Sequence, residues 1–162
     1  MRAKKNRPVA LDGHATSNFA LLSPATGKLP EKMLLLSADS GIGPLMDMLR
    51  DLYQQHYEGD VVFLHVCRRP EDLAFASELE AIAADYAELG LVVYYSDMAP
   101  PFTPQALQLA VPDLGQRSTW MCAPGALMDD VQRLWKEQNF ASPLYGQRVA
   151  ETSPASELSP ST

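Results

Sequence analysis

An α/β fold is expected for this 162-residue chain: a doubly wound parallel sheet of about five strands, order 3-2-1-4-5, with helices on both faces. Three observations predict it. Apolar runs of strand length alternate with segments whose apolar residues recur at helical spacing. Such alternation builds a parallel sheet covered on both sides, with the first strand central. Two of the strand-to-helix junctions are short turns of small residues.

The elements follow in order. Met33-Leu34-Leu35-Leu36-Ser37 is the first strand, and no apolar run approaches the ~18 residues of a membrane span. It breaks into Ala38-Asp39-Ser40-Gly41-Ile42-Gly43, and Pro44 is read as the first residue of a helix with Leu45, Met48, Leu49 and Leu52 on one face. Val61 to Val66 is the second strand. Phe75, Leu79, Ile82, Tyr86 and Leu89 keep helical spacing, with Gly90 as the stop. Leu91 to Tyr95 is the third strand, and a short helix from Pro104 to Ala110 follows a proline-rich turn. Thr119 to Cys122 is the fourth strand, and Leu127, Val131, Leu134 and Trp135 stripe the last helix. A segment near Leu144-Tyr145 adds an edge strand. Residues 151–162 are mostly Ser, Thr and Pro and read as a disordered tail after a domain spanning 30–150.

Composition removes several function classes. A net charge of −7 argues against broad nucleic-acid binding, which needs a basic footprint. The bases Arg2, Lys4, Lys5 and Arg7 crowd the amino terminus, and no apolar segment of signal-peptide type follows them. Cys67 and Cys122 form no CxxC pair and no metal-ligand spacing, so they read as buried, reduced thiols of a cytoplasmic protein, with no metal site. No Ser/His/Asp triad, HExxH or Walker motif supports a hydrolase or kinase.

Ligands of open parallel sheets bind beyond the carboxyl ends of the strands, where the strand order reverses. The loops there are Ser37–Pro44, Cys67–Asp72, Ser96–Thr103 and Cys122–Met128. The first and fourth share one logic: strand, small-residue turn, helix amino terminus. Such turns either cradle an anion, often a phosphate, or serve only to reverse the chain.

Ser-Ala-Asp-Ser-Gly-Ile-Gly-Pro (37–44) resembles the G-G-T-G-I-x-P or S-A-G-S-G-I-T-P signature of ferredoxin–NADP reductase-type flavoenzymes. Phe63-Leu64-His65-Val66-Cys67-Arg68, then Glu71-Asp72-Leu73 and Glu78-Leu79, is similar to the second strand and helix of that family. Val111-Pro112-Asp113-Leu114 and Trp120-Met121-Cys122-Ala123-Pro124 with Leu127-Met128 resemble its C-G-P-x-x-L-M segment. The resemblance runs from about residue 8 to 147. It implies hydride transfer from NADH or NADPH to a flavin, then one-electron steps to an iron–sulfur, haem or oxygenase partner.

It also implies a site. Ser40, Gly41, Ile42, Gly43 and Pro44 would face the dinucleotide phosphates, Arg68 the adenosine phosphate, and Ala123, Pro124 and Met128 the nicotinamide. Cys122 matches a cysteine beside the hydride-transferring carbon; a buried structural thiol is the other reading. Asp97 stands where NADP-selective relatives carry arginine, and a second basic residue expected near Pro101-Phe102 is missing, which favours NADH. His65 reads as a core or sheet-face residue.

The departures define the alternative. Only Val9 to Gly13 and Asn18 to Leu21, within residues 1–29, resemble the last strand of the flavin barrel, and the R-x-Y-[ST] flavin motif is absent. FAD would therefore come through a missing or separate domain or flavoprotein, and this chain alone is expected to be a poor enzyme. Two family glycines are replaced, by Asp39 and Ala123. A Cβ crowds a ligand's approach, and the Asp39 charge opposes a pyrophosphate. These two residues favour a degenerate, non-catalytic binding or regulatory module of the same fold.

Overall fold

The three central strands are buried because each has a sheet neighbour on either side and helices cover the two faces. In the computed structural model, which describes residues 29–148, the elements run β1 (Lys32–Ala38), α1 (Ile42–Gln54), β2 (Asp60–Cys67), α2 (Ala76–Asp85), β3 (Leu89–Tyr95), α3 (Pro104–Ala110), β4 (Ser118–Ala123), α4 (Gly125–Gln138) and β5 (Leu144–Arg148). All pairings are parallel, in the order β3-β2-β1-β4-β5. The expected fold class, strand number and strand order are all observed. The expected basic arm and barrel-like strand before residue 29, and the expected tail, lie outside the described residues.

Alternation along the strands makes two cores. Met33, Leu35, Phe63 and Trp120 face α1 and α2, where Leu45, Leu49, Leu52, Leu79 and Ile82 close the layer. Leu34, Leu36, Leu64 and Met121 face α3 and α4, packed by Leu107, Val131, Leu134 and Trp135. Trp120 stacks on Tyr145 with ring centroids 4.9 Å apart, which fastens β5 to the sheet.

Three boundaries differ from expectation. The second helix ends at Asp85, and Leu89 and Gly90 open β3, where they pair with Val61 and Val62. Tyr86 leaves the helix with extended backbone and buries its ring, so the periodicity that ran on to Leu89 belonged to a strand start. At the other end Phe75 precedes the helix with a left-handed backbone (φ 61°) and stays exposed, its ring 5.2 Å below the Arg50 guanidinium. Pro44 is the third residue of α1, not the first, because a 3-10 turn at Asp39–Gly41 leads into the helix. The proline still suits the place, as the amides of a first turn have no intrahelical acceptor.

The uncharged strand β3 is one sheet edge. Val61 N–H donates to Glu88 C=O and Ser96 N–H to Cys67 C=O, so the even residues turn their backbone groups toward β2. Leu91 and Val93 therefore turn theirs outward.

The amino ends of the strands are locked by one buried guanidinium. Arg117, 5% exposed, donates to Met33 C=O (2.9 Å) and Asp60 C=O (3.3 Å) and pairs with the carboxylates of Asp113 (2.9 Å) and Asp60 (2.8 Å). Lys32 Nζ adds a second cation 2.7 Å from Asp113. The hydrogen bond from Arg117, with the Lys32 contact, holds the Asp113 carboxyl down at about 2. Arg117→Ala should cost about 3 kcal/mol in chemical denaturation, since it strips partners from two carboxylates and a buried carbonyl. Acid should have a related effect. The depressed Asp113 contributes stability fully above pH 4, and that contribution should fade as pH falls toward 2; Asp113→Asn should flatten this part of the profile.

Candidate functional site

Parallel pairing brings four loops to one edge of the sheet. The chain order reverses between β1 and β4, so the crevice lies between the loops that follow these strands. There α1 begins after Gly41 and α4 after Pro124, and neither amino terminus is capped by a side chain. Both helices are long enough to carry an appreciable positive end.

Of the expected phosphate-facing residues, Ser40 is exposed, Gly43 and Pro44 are half-buried, and Gly41 and Ile42 are buried. Ser40 and Gly41 belong to the 3-10 turn, and Ile42, Gly43 and Pro44 open α1. Asp39 starts the turn with φ 52°, so the left-handed step for which glycine is usual is made here by aspartate. The residue is exposed, and its carboxyl is partly desolvated. Desolvation raises its pKa, Asp72 raises it further, and Arg68 pulls it down.

On the β2–β3 side, Ser96 N–H donates to Cys67 C=O (2.8 Å) and Asp97 N–H to Arg68 C=O (3.0 Å), which ties the two loops together. Asp97 lies 3.6 Å from Arg68 Nη2 and 3.3 Å from Arg69 Nε. Arg69 is the residue that sequence reasoning missed. It brings a second guanidinium to Asp97. Adjacent arginines alternate sides on extended backbone, so only the folded loop shows that both reach one carboxylate. The negative charge of Asp97 is thereby largely matched.

On the β4 side, Cys122 and Ala123 are buried at the end of the strand, Pro124 is half-buried, and Met128 is buried in the first turn of α4. Met128 packs against Gly146, where a Cβ would come within 2.6 Å of its methyl. Both thiols are unbridged and buried, as expected. Burial pushes the Cys122 thiol up and keeps it protonated; Cys67 is raised by burial and by Asp72 and Asp39. No group of three or more potential metal ligands occurs among the described residues.

A polar row crosses the α1-facing side of the sheet at this same edge. His65, Ser37, Cys122 and Gln147 stand on the neighbouring strands β2, β1, β4 and β5, linked by the registers Ser37–His65, Ser37–Cys122 and Cys122–Gln147. Ser37 Oγ and His65 Nδ1 are hydrogen-bonded at 2.7 Å. His65 is 1% exposed, which agrees with the core reading of the sequence. Gln147 Oε1 is buried without a hydrogen-bond partner.

Comparison with known proteins agrees with this geometry. Residues 35–133 match the family model described as the oxidoreductase NAD-binding domain. An NADPH oxidoreductase of Mycobacterium tuberculosis is 34% identical over 140 residues, covering 85% of this chain and 36% of that protein. The glycine betaine monooxygenase reductase subunit of Chromohalobacter salexigens is 29% identical over 135 residues, covering 77% of this chain and 37% of that protein. The chain thus spans little more than a third of these relatives. In fold it is similar to the Amycolatopsis cytochrome P450 reductase GcoB, with a TM-score of 0.69, 22% identity and coverage of 82% of this chain and 41% of that one. No helix among the described residues is long and apolar enough to cross a membrane.

The buried histidine makes the stability of this edge depend on pH. Burial lowers His65 to about 4, against a smaller opposing effect of the Ser37 hydrogen bond. The unfolded chain therefore takes up this proton first as pH falls. The His65 contribution should be fully present above pH 6.5, shrink by about 3 kcal/mol as pH falls to 4, and change no further below that. Denaturation midpoints measured between pH 7 and 4 should show this slope in the parent and lose it in His65→Gln.

Proposed function

The chain belongs to the oxidoreductase NAD-binding domain family, and from this premise we propose that it holds a nicotinamide dinucleotide across the carboxyl edge of its sheet for hydride transfer to a flavin carried elsewhere. The observation that carries the reading is the pair of uncapped helix amino termini, of α1 and α4, flanking the point where strand order reverses. Amides at the start of α1 would face the pyrophosphate, and Arg68 the adenosine end. Ala123, Pro124 and the buried, neutral Cys122 would bound the nicotinamide end. Met128 would support that wall from below.

When bound, the dinucleotide supplies the hydride. The residues of this chain bind and orient it and exclude water from the edge beside Cys122. A flavin domain or flavoprotein would receive the hydride and pass electrons singly to an iron–sulfur or haem protein, such as an oxygenase. NADH is the preferred form in this proposal. Asp97 opposes a 2′-phosphate and accepts hydrogen bonds from a ribose diol, while Arg68 and Arg69 moderate the preference because both lie against it. A second reading, a binding or regulatory module without catalysis, is favoured by Asp39, whose charge stands at the turn.

Calorimetric titration of the purified chain with NADH and NADPH tests the assignment. NADH should bind more tightly, and Asp97→Asn should narrow the gap by improving NADPH. Equal or tighter NADPH binding by the parent would reverse the preference, and no binding of either would leave the module reading. The chain should retain no flavin through gel filtration. A stoichiometric yellow absorbance would show that it holds the flavin itself.

A further inference from the structure

We infer that Asp39 is a charge-selecting residue of the turn before α1, so that an anionic dinucleotide binds here together with one proton. The inference rests on the nucleotide site proposed above and names how that site is tuned. Asp39 is the first residue of the 3-10 turn Asp39–Gly41, and its backbone is left-handed, so the chain makes the turn without glycine and with a carboxylate at its tip. The residue is exposed at the edge where the amino terminus of α1 opens. The charged and titratable groups around it are Arg68 and Asp72 of the loop after β2 and Cys67 at the end of that strand. Arg68 is committed in part to Asp97, 3.6 Å away. Among the described residues the cation that acts on Asp39 is thus one shared with Asp97, and Asp72 opposes its effect.

A pyrophosphate arriving at this turn would bring two negative charges next to that carboxylate. Two like charges about 5 Å apart in largely aqueous surroundings repel by about 1 kcal/mol, enough to weaken binding roughly fivefold. Protonation of Asp39 removes the repulsion, so the bound state holds the proton more tightly than the free state. By linkage, affinity must then rise as pH falls toward the carboxyl's own range. The direction in which burial already moves Asp39 brings that range closer to neutrality. The charge also separates from the backbone requirement. Asparagine accepts the left-handed conformation as aspartate does, whereas glycine accepts it at lower cost.

The test is calorimetric titration with ADP-ribose, which carries the pyrophosphate and survives mild acid, at pH 7.5 and pH 5 in buffers of different ionisation enthalpy. The parent should bind more tightly at pH 5 than at pH 7.5, by no more than the roughly fivefold that relief of the repulsion allows, and take up a measurable fraction of a proton there. Asp39→Asn should bind at pH 7.5 at least as tightly as the parent does at pH 5, with little pH dependence and no proton uptake. Asp39→Gly should match or exceed it. If parent and Asp39→Asn bind with the same pH profile and proton balance, the inference fails while the nucleotide site stands. Weaker binding by Asp39→Asn would also overturn it, and would make Asp39 an acceptor for a ligand hydroxyl. Absence of binding by all three proteins at both pH values removes the inference and the nucleotide reading together.

Discussion

Everything at the carboxyl edge depends on how the amino edge is fastened. One guanidinium, Arg117, takes the carbonyl of Met33 from β1, the carbonyl and carboxylate of Asp60 from β2, and the carboxylate of Asp113 from the segment before β4. Three central strands therefore start in fixed register. In a parallel sheet the register at one end sets the register at the other, so Ser37, His65 and Cys122 arrive side by side about 13–17 Å away, at ~3.3 Å per residue. A buried charge of this kind is costly to desolvate and adds little net stability against an apolar replacement. Its value here is geometric: no apolar side chain could hold two carbonyls and two carboxylates from separate segments at once.

The two edges treat charge in opposite ways. At the amino edge Lys32 and Arg117 meet Asp60 and Asp113 at hydrogen-bond distance. At the carboxyl edge the ion pairs are longer, Arg68 and Arg69 share Asp97, and Asp39 is acted on by Arg68 and, in the opposite sense, by Asp72. Structural charges are satisfied within the fold, and charges left incompletely matched lie where a ligand would come. Imperfect pairing at a crevice is a common mark of a functional edge, since a fully paired arginine has little left to offer an anion.

Much of this was legible in the sequence because strand burial writes itself as apolar runs. The first, second and fourth strands are central and nearly uniform in hydrophobicity, and each was found within one or two residues. Leu89 differs from expectation because an apolar residue three places after Tyr86 fits a helix as well as a strand start; only pairing with Val61 decides it. The turn residues Ser40 to Pro44 were placed by their small size and the proline. Arg69 and Gln147 were not, for a shared reason: their significance lies in which neighbouring strand or loop stands beside them. One aims at Asp97 across a loop, and the other is buried on an edge strand next to Cys122. Local spacing carries no record of either neighbour.

The outward edge of β3 has a consequence for how this protein behaves in bulk. Seven residues, Leu89 to Tyr95, carry no lysine, no glutamate and no proline, and Leu91 and Val93 hold out backbone donors and acceptors that no described strand uses. Such a ribbon is a template on which another copy can add. A net charge of −7 opposes that addition, because each molecule repels the next before the ribbons meet. That shield is thinnest near pH 4.8, where positive and negative charges balance. The repulsion that opposes edge addition is thus a property of the whole acidic chain and not of β3, which carries no charge of its own.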